Sequence, residues 1–151
     1  MTRKKAVLLA AVLLLAAAAV VTGILVLRRA TDFDWVVRLN WGISLPRRAE
    51  LVYEADSGPS FHGDGIRYHV FSCTDPEPVE EMVSWGPEGF NRYGESFTEA
   101  AESWLTEIEV PPEQWPGREA VFWYQRQDDG SELILFWERE KEKLSILEWF
   151  L

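Results

Sequence analysis

The residues best suited to chemistry lie close together, in the stretch SFHGDGIRYHVF at residues 60–71. It contains both histidines of the chain, His62 and His69, and a carboxylate, Asp64, between two glycines. Imidazole and carboxylate groups can bind zinc and similar ions or exchange protons. The spacing matches no HExxH pattern, and glycines around an aspartate are typical of a turn with a local side-chain hydrogen bond. We therefore expect no metal site here, and the candidate partner contacts are Phe61, His62, Asp64 and His69.

Other catalytic arrangements have little support in the sequence. The only cysteine, Cys73, follows His69 by four residues. On a regular strand such residues lie about 13 Å apart, too far for a nucleophile and its base. Glu99 and Glu102 lie one helical turn apart, but without a cleft to perturb their ionisation they belong to a solvated helix face. No GxSxG or glycine-rich phosphate motif is present, so no cofactor is expected and a non-catalytic role is favoured.

The N-terminal segment predicts a membrane anchor. Residues 6–27 form an uncharged, largely apolar run of 22 residues. A helix of that length measures about 33 Å at about 1.5 Å per residue, enough to span a bilayer core. The run exceeds the apolar part of a cleaved signal peptide, so we expect an uncleaved signal anchor in contact with the lipid bilayer. Three basic residues precede it and two follow it, which favours a cytoplasmic tail at 1–5 and a C-terminal domain outside.

A short aromatic linker and an acidic domain follow the predicted anchor. Trp35 and Trp41 lie in the linker, residues 28–43, and amphipathic rings favour the membrane–water interface, so both are candidate membrane-interface residues. All 25 acidic residues lie after residue 30, as do ten of the 15 basic ones, so residues 31–151 carry a formal charge of −15. This charge argues against nucleic acid as a partner, because phosphates need cationic partners.

The first half of the folded part predicts a hairpin and two helices. Apolar and polar residues alternate at 49–56 and 66–73, on either side of a glycine-rich loop, which predicts an antiparallel hairpin. A short helix is expected over 76–85, with Asp75 as its cap. A longer amphipathic helix is expected to begin with a capping box whose first residue is Ser96, and to stop before a pair of prolines.

The second half predicts three strands in a meander. They are expected at 120–126, 132–139 and 144–151, with a tight turn at Asp129 between the first two. Residues 44–151 therefore predict one α+β domain. Its antiparallel sheet has about five strands in ββ-αα-βββ order, with the helices packed on one face.

These patterns favour a single-pass protein of the cell membrane whose extracytoplasmic domain is a binding or interaction module for a protein partner at the cell surface. Such a module would need an exposed aromatic patch or groove, and the strand at 120–126 carries rings on both faces. Two alternatives stay open. A membrane-anchored hydrolase or metal-dependent enzyme would need His62, Asp64 and His69 to converge in a pocket. An accessory subunit of a membrane complex would be contacted through the span itself.

Overall fold

The chain divides into two compact units, residues 1–44 and residues 45–151. The computed structural model describes residues 14–23, 33–58, 64–86 and 94–151.

In the first unit, residues 14–23 form a helix, α1, whose leucine and valine side chains are all more than half exposed. The hydroxyl of Thr22 donates a hydrogen bond to the carbonyl of Ala18 over 2.8 Å. Among the helices that the structure describes, none is both long enough and apolar enough to cross a membrane. Residues 6–13 and 24–27 of the predicted anchor lie outside the described residues.

The second helix of this unit, α2 (Phe33–Trp41), is short and amphipathic. Val37 and Trp41, one turn apart, are buried, whereas Arg38 is exposed. Residues three or four apart share a helix face, so the burial marks one side of α2. Gly42 ends the helix in a left-handed conformation, φ 73°, and its N–H donates to the carbonyl of Arg38.

Residues 45–151 form an α+β domain built on one five-stranded antiparallel sheet in the order β1-β2-β5-β4-β3. The strands are β1 (Glu50–Asp56), β2 (Gly65–Ser72), β3 (Val121–Arg126), β4 (Glu132–Glu138) and β5 (Lys143–Phe150). The predicted hairpin (β1 and β2), the predicted meander (β3 to β5) and the order of elements along the chain are confirmed. The last strand, β5, lies at the centre, between β2 and β4.

Both faces of the three central strands are buried. The side chains without exposure on one face are Tyr68, Ile134, Ser145 and Leu147, and those on the other are Leu133, Leu135, Leu144, Ile146 and Glu148. The aromatic rings of β3 and β4 are buried or half-buried. An exposed aromatic patch on a sheet face is therefore not found among the described residues.

The first helix of the domain, α3 (Glu77–Glu80), is shorter than predicted. The indole N–H of Trp85 donates to the carbonyl of Val79 over 2.8 Å. The same carbonyl also accepts a backbone hydrogen bond, over 3.2 Å, in the turn that follows the helix. The predicted cap is wrong, because Pro76 rather than Asp75 occupies the cap position and no side chain bonds to the helix start.

The longer helix, α4 (Gly94–Glu107), begins two residues before Ser96, so the predicted capping box does not mark its start. Its end is a Schellman motif, in which the N–H of Val110 donates to the carbonyl of Leu105 over 2.9 Å. Glu109 takes the left-handed position of this motif, φ 57°, which glycine usually occupies. Val110 and Leu105 both pack into the main core cluster.

The two helices occupy different places on the sheet. Leu105 of α4 packs in the cluster that contains Tyr68 of β2. Residues of α3 lie instead at the end of β4, where Glu80 pairs with Arg139 over 3.1 Å and shares a cleft with Trp137. Trp137 belongs to the other face of the sheet, because side chains alternate along a strand. The packing of both helices on one face stays a prediction.

A β-bulge interrupts β1. Leu51 pairs with Phe71, but Tyr53 pairs with Val70, so Val52 is an extra residue on the β1 side. Simple alternation predicted Leu51 and Tyr53 on the same face. The bulge places them on opposite faces, and it turns Val52 out of the regular pattern.

Candidate functional site

The structure separates the described members of the predicted site. Asp64 is exposed and lies immediately before β2, whereas His69 lies within that strand. At about 3.3 Å per residue their Cα atoms are about 16 Å apart, so the two side chains do not share a pocket. Phe61 and His62 lie outside the described residues. Within the described ranges, no group of three His, Cys, Asp or Glu side chains is placed to hold a metal ion.

His69 is a neutral, largely buried side chain. It is 12% exposed, its Nε2 lies 3.9 Å from the Glu54 carboxylate, and its ring stacks near Phe71 with centroids 6.4 Å apart. Burial, together with the charge of Arg67, lowers the pKa of His69 to about 4, although Asp56 acts in the opposite direction. A histidine with so low a pKa is a weak base at neutral pH.

Of the other residues considered for catalysis, Cys73 is buried, whereas Glu99 and Glu102 are exposed to solvent. Cys73 is buried, its N–H donates to the carbonyl of Glu142 over 2.7 Å, and burial raises the pKa of its thiol to about 11. Thiolate, rather than thiol, is the nucleophile, so this cysteine is inert near neutral pH. Glu99 and Glu102 lie exposed on α4, and Glu102 is also one of the residues that line a cleft beside this helix.

A cluster of ion pairs lies at the end of β4 and the start of β5. The Glu138 carboxylate is 8% exposed and contacts the ammonium groups of Lys141, at 2.6 Å, and Lys143, at 3.6 Å. Burial opposes ionisation of Glu138, but the hydrogen bonds from Lys141 and from the Gly117 N–H, with the charge of Lys143, outweigh it and hold its pKa below the ordinary value. A Cβ atom at Gly117 would clash with this carboxylate. The charged run at 138–143 does not show which of its side chains is buried, so this cluster could not be predicted from the sequence.

The ion cluster and the core together fix the connection between α4 and β3. Lys143 Nζ donates to the carbonyls of Gln114, at 3.2 Å, and Trp115, at 2.8 Å. The hydroxyl of Tyr68 also donates to the Gln114 carbonyl, at 2.7 Å, and the indole of Trp115 donates to the carbonyl of Val110. Burial raises the pKa of Tyr68 above its ordinary value, so this hydroxyl remains a donor. These hydrogen bonds from Lys143, Tyr68 and Trp115 therefore fix the position of the connection.

A cleft of about 610 Å³, here called the edge cleft, lies between this fixed connection and the first two strands. Its apolar lining includes Val52 of β1, Val70 of β2 and Pro112 and Trp115 of the connection. Lys143 and other charged groups complete its lining. Polar and charged side chains therefore make up about half of the lining, so the edge cleft is a concave site that offers a partner both apolar contact and charge.

A second cleft, of about 830 Å³, lies between α3 and the end of β4 and is lined by Trp85, Val121 and Trp137. Charged side chains that line this cleft form ion pairs with one another, Arg139 with Glu80 and Lys141 with Glu138. The two tryptophans that line this cleft are buried or half-buried. The indole N–H of Trp85 donates a hydrogen bond to the carbonyl of Val79.

The outer strand β1 exposes apolar and acidic side chains together. Leu51 is 47% exposed and Val52 is 60% exposed. Glu50, Glu54 and Asp56, on the same strand, are also exposed. We call this strand, Glu50–Asp56, the β1 edge.

The backbone of the β1 edge is also partly available. The N–H of Ser57 donates to the carbonyl of Ile66 over 2.9 Å, which sets the hydrogen-bonding phase of the hairpin. Because antiparallel partners alternate between bonded and non-bonded pairs, the N–H and C=O groups of Glu54 and Asp56 point away from β2. No described residue pairs with these groups.

The β1 edge and the edge cleft form one continuous surface, because Val52 belongs to both. Asp64 and His69, the described members of the predicted partner contacts, lie on the same hairpin as the β1 edge. Comparisons of the chain with protein-family models, with curated proteins and with solved structures find no match.

Proposed function

We propose that the protein is a single-pass, membrane-anchored binding module that holds a protein partner at the outer surface of the cell membrane. The observation that carries the binding role is that exposed apolar Val52 lines the edge cleft, next to exposed Leu51 on the same strand. Apolar residues next to a preformed cleft give a partner both area to bury and a shape to fit. The bonds from Tyr68 and Lys143 to the cleft wall support this role, since a fixed wall loses little entropy on binding.

A catalytic role finds less support in the same geometry. Asp64 and His69 are separated along the chain of β2, and the low pKa of His69, about 4, removes it as a base at neutral pH. Cys73 is protonated near neutral pH for the opposite reason, a pKa raised to about 11. The proposed site therefore binds through surface shape and charge rather than through reactive groups.

The proposed anchor is the segment 6–27, with the N-terminus in the cytoplasm. Its described part, residues 14–23, is helical, and its apolar side chains are exposed. Exposed leucine and valine side chains on every side of a helix need an apolar surrounding such as lipid. Thr22 supports the proposal as well, because its hydroxyl is satisfied by Ala18 within the helix and so needs no water.

The anchor and its orientation are tested in intact cells. After an alkaline carbonate wash, the full-length chain should remain in the membrane fraction, because an apolar helix is held by the hydrophobic effect. Protease added outside the cells should remove residues 45–151 while a cytoplasmic control protein survives. Release by carbonate would contradict the anchor, and a protected domain in cells with a cleaved surface control would contradict the orientation.

The binding surface is tested by site-specific photo-cross-linking of the full-length chain in the cells from which it derives. A cross-linking residue replaces Val52 in one variant and Val121 in the matched control. Both are exposed valines on outer strands of the same sheet, at opposite ends of the strand order. We expect one discrete cross-linked protein from position 52 and none from position 121. A product from position 121 alone, or from neither position, would show that the assigned surface is wrong.

A further inference from the structure

We propose that the partner binds the β1 edge with a basic, extended segment that pairs with β1 as an additional strand of the sheet. This inference rests on the proposed function and names the kind of segment that the surface accepts. It is carried by the coincidence of three properties in Glu50–Asp56: outward backbone groups, exposed carboxylates and an exposed apolar pair.

The backbone of β1 is open to a further strand. The N–H and C=O groups of Glu54 and Asp56 point away from β2, and the sheet order among the described residues ends at β1. An extended segment beside β1 would satisfy these groups by the same ladder that joins β1 to β2. Strand addition of this kind gives affinity through backbone bonds and specificity through alternate side chains.

The side chains of β1 select the charge of that segment. Glu50, Glu54 and Asp56 are exposed carboxylates, and Glu54 points to the same face as Asp56. Like charges placed opposite each other destabilise a strand pair, so a second copy of this acidic strand is rejected. Lysine or arginine at alternate positions of the added strand would face carboxylates instead. The formal charge of −15 over residues 31–151 also attracts a cationic segment over longer range.

The bulge limits the length of the paired stretch and places the edge cleft just beyond its end. Regular geometry holds over residues 53–56, and Val52 is the extra residue that departs from it. A bulge usually ends pairing along an edge strand. Because Val52 lines the edge cleft, a partner side chain just beyond the paired stretch would reach this cleft. We therefore expect an apolar residue at that position of the segment.

The test uses the full-length chain in phosphatidylcholine nanodiscs, whose uncharged surface does not itself attract a basic peptide. The probe is a short synthetic peptide in which lysines alternate with valines and one tryptophan, labelled for fluorescence anisotropy. We expect saturable binding that the variant Glu50→Lys/Glu54→Lys weakens by about tenfold or more, because attraction becomes repulsion at the edge. Asp56 is left unchanged, since its carboxylate accepts a hydrogen bond from the Gly58 N–H.

The matched control is Glu119→Lys/Asp128→Lys, which changes the net charge equally. Both residues are exposed and flank β3, the strand at the other end of the sheet order. We expect it to weaken binding by less than about threefold, as a screened long-range effect. A peptide with glutamates in place of lysines should bind the Glu50→Lys/Glu54→Lys variant more tightly than the natural chain. Equal losses in both variants would overturn the assignment of the charge contacts to the β1 edge.

A peptide with methylated backbone nitrogens separates strand pairing from simple cleft binding. It keeps every side chain but loses the N–H groups that a ladder needs, so we expect its affinity to fall by about tenfold or more. If the methylated peptide binds as tightly as the parent, strand addition is wrong while binding at the surface stands. If no lysine peptide binds although position 52 still cross-links a partner, the basic strand is wrong but the binding function holds. Failure of both the peptide and the cross-link would overturn the binding function itself.

Discussion

Acidification should destabilise the folded domain through His69 well before most carboxylates titrate. Burial sets the pKa of His69 at about 4 in the folded state, against about 6.5 in an unfolded chain. Because the folded state binds this proton less tightly, stability is full above about pH 6.5 and falls as the pH drops towards the folded pKa. The side chain is only 12% exposed, so little of the effect is lost to solvent.

The magnitude follows from these two values. The whole window from about pH 6.5 to about pH 4 corresponds to a loss of about 3 kcal/mol, and the part between about pH 7.5 and about pH 5 to about 2 kcal/mol. Glu138 adds nothing in this range, because its pKa lies below the ordinary value for glutamate and its stabilising charge is lost only in stronger acid. His69 alone is therefore expected to contribute a loss of about 2 kcal/mol between these two pH values.

Urea unfolding of the full-length chain in detergent micelles, followed by near-ultraviolet circular dichroism at the two pH values, measures this loss. His69→Phe replaces the ring with one that does not titrate and should remove most of the pH dependence. His62→Gln is the matched control, since the chain has only these two histidines, and it should keep the loss. The reasoning is wrong if His69→Phe loses as much stability as the natural chain between the two pH values.

Three further predictions concern the fold. Glu109→Gly should stabilise the domain by about 0.5–1 kcal/mol, because Glu109 holds a left-handed φ of 57°; Glu107→Gly, inside α4, should destabilise it by a similar amount in the same urea titration. A stabilising Glu107→Gly would contradict the assigned helix end. Tyr68→Phe should cost about 1–2 kcal/mol, since its buried hydroxyl bonds the fixed connection, and an unchanged urea midpoint would refute that bond. Cys73 should resist a thiol reagent near neutral pH until urea unfolds the domain, because it is buried with a pKa near 11; labelling of the folded chain at the rate of a free thiol would contradict this.

The local elements of the fold could largely be predicted from the sequence, because they depend on short-range patterns. Alternation at 66–73 predicted β2 and its faces, since Ile66, Tyr68 and Val70 are buried together. The turn signal at Asp129 and Gly130 predicted the hairpin of β3 and β4, and Gly130 has the positive φ, 96°, that the turn requires.

The long-range features could not be predicted in the same way. Periodicity shows that β5 is a strand but not that it lies between β2 and β4, because strand pairing depends on contacts far apart in sequence. The bulge at Val52 likewise depends on the pairing of β1 with β2.

The candidate site also combines local features, which the sequence shows, with long-range features, which it does not. Residue chemistry drew attention to the loop and strand at 60–71, where the two histidines lie. The edge cleft depends instead on bonds from Tyr68 and Lys143 to the carbonyl of Gln114, a residue with no distinctive side-chain chemistry. No local sequence pattern indicates that the backbone carbonyl of Gln114 will be fixed in the wall of a cleft. The acidic residues of β1 were visible in the sequence, but only the strand order shows that they lie on an outer strand.

Amide hydrogen exchange at the β1 edge tests the central claim, that this surface binds the partner, most directly. The full-length chain is compared alone and in complex with the partner that is cross-linked through position 52. Amide exchange at Glu54 and Asp56, whose N–H groups point away from β2, should slow by about tenfold or more in the complex. The amides of β3, Val121–Arg126, should keep the rates of the free chain. Unchanged exchange at Glu54 and Asp56, or slowing confined to β3, would contradict the claim.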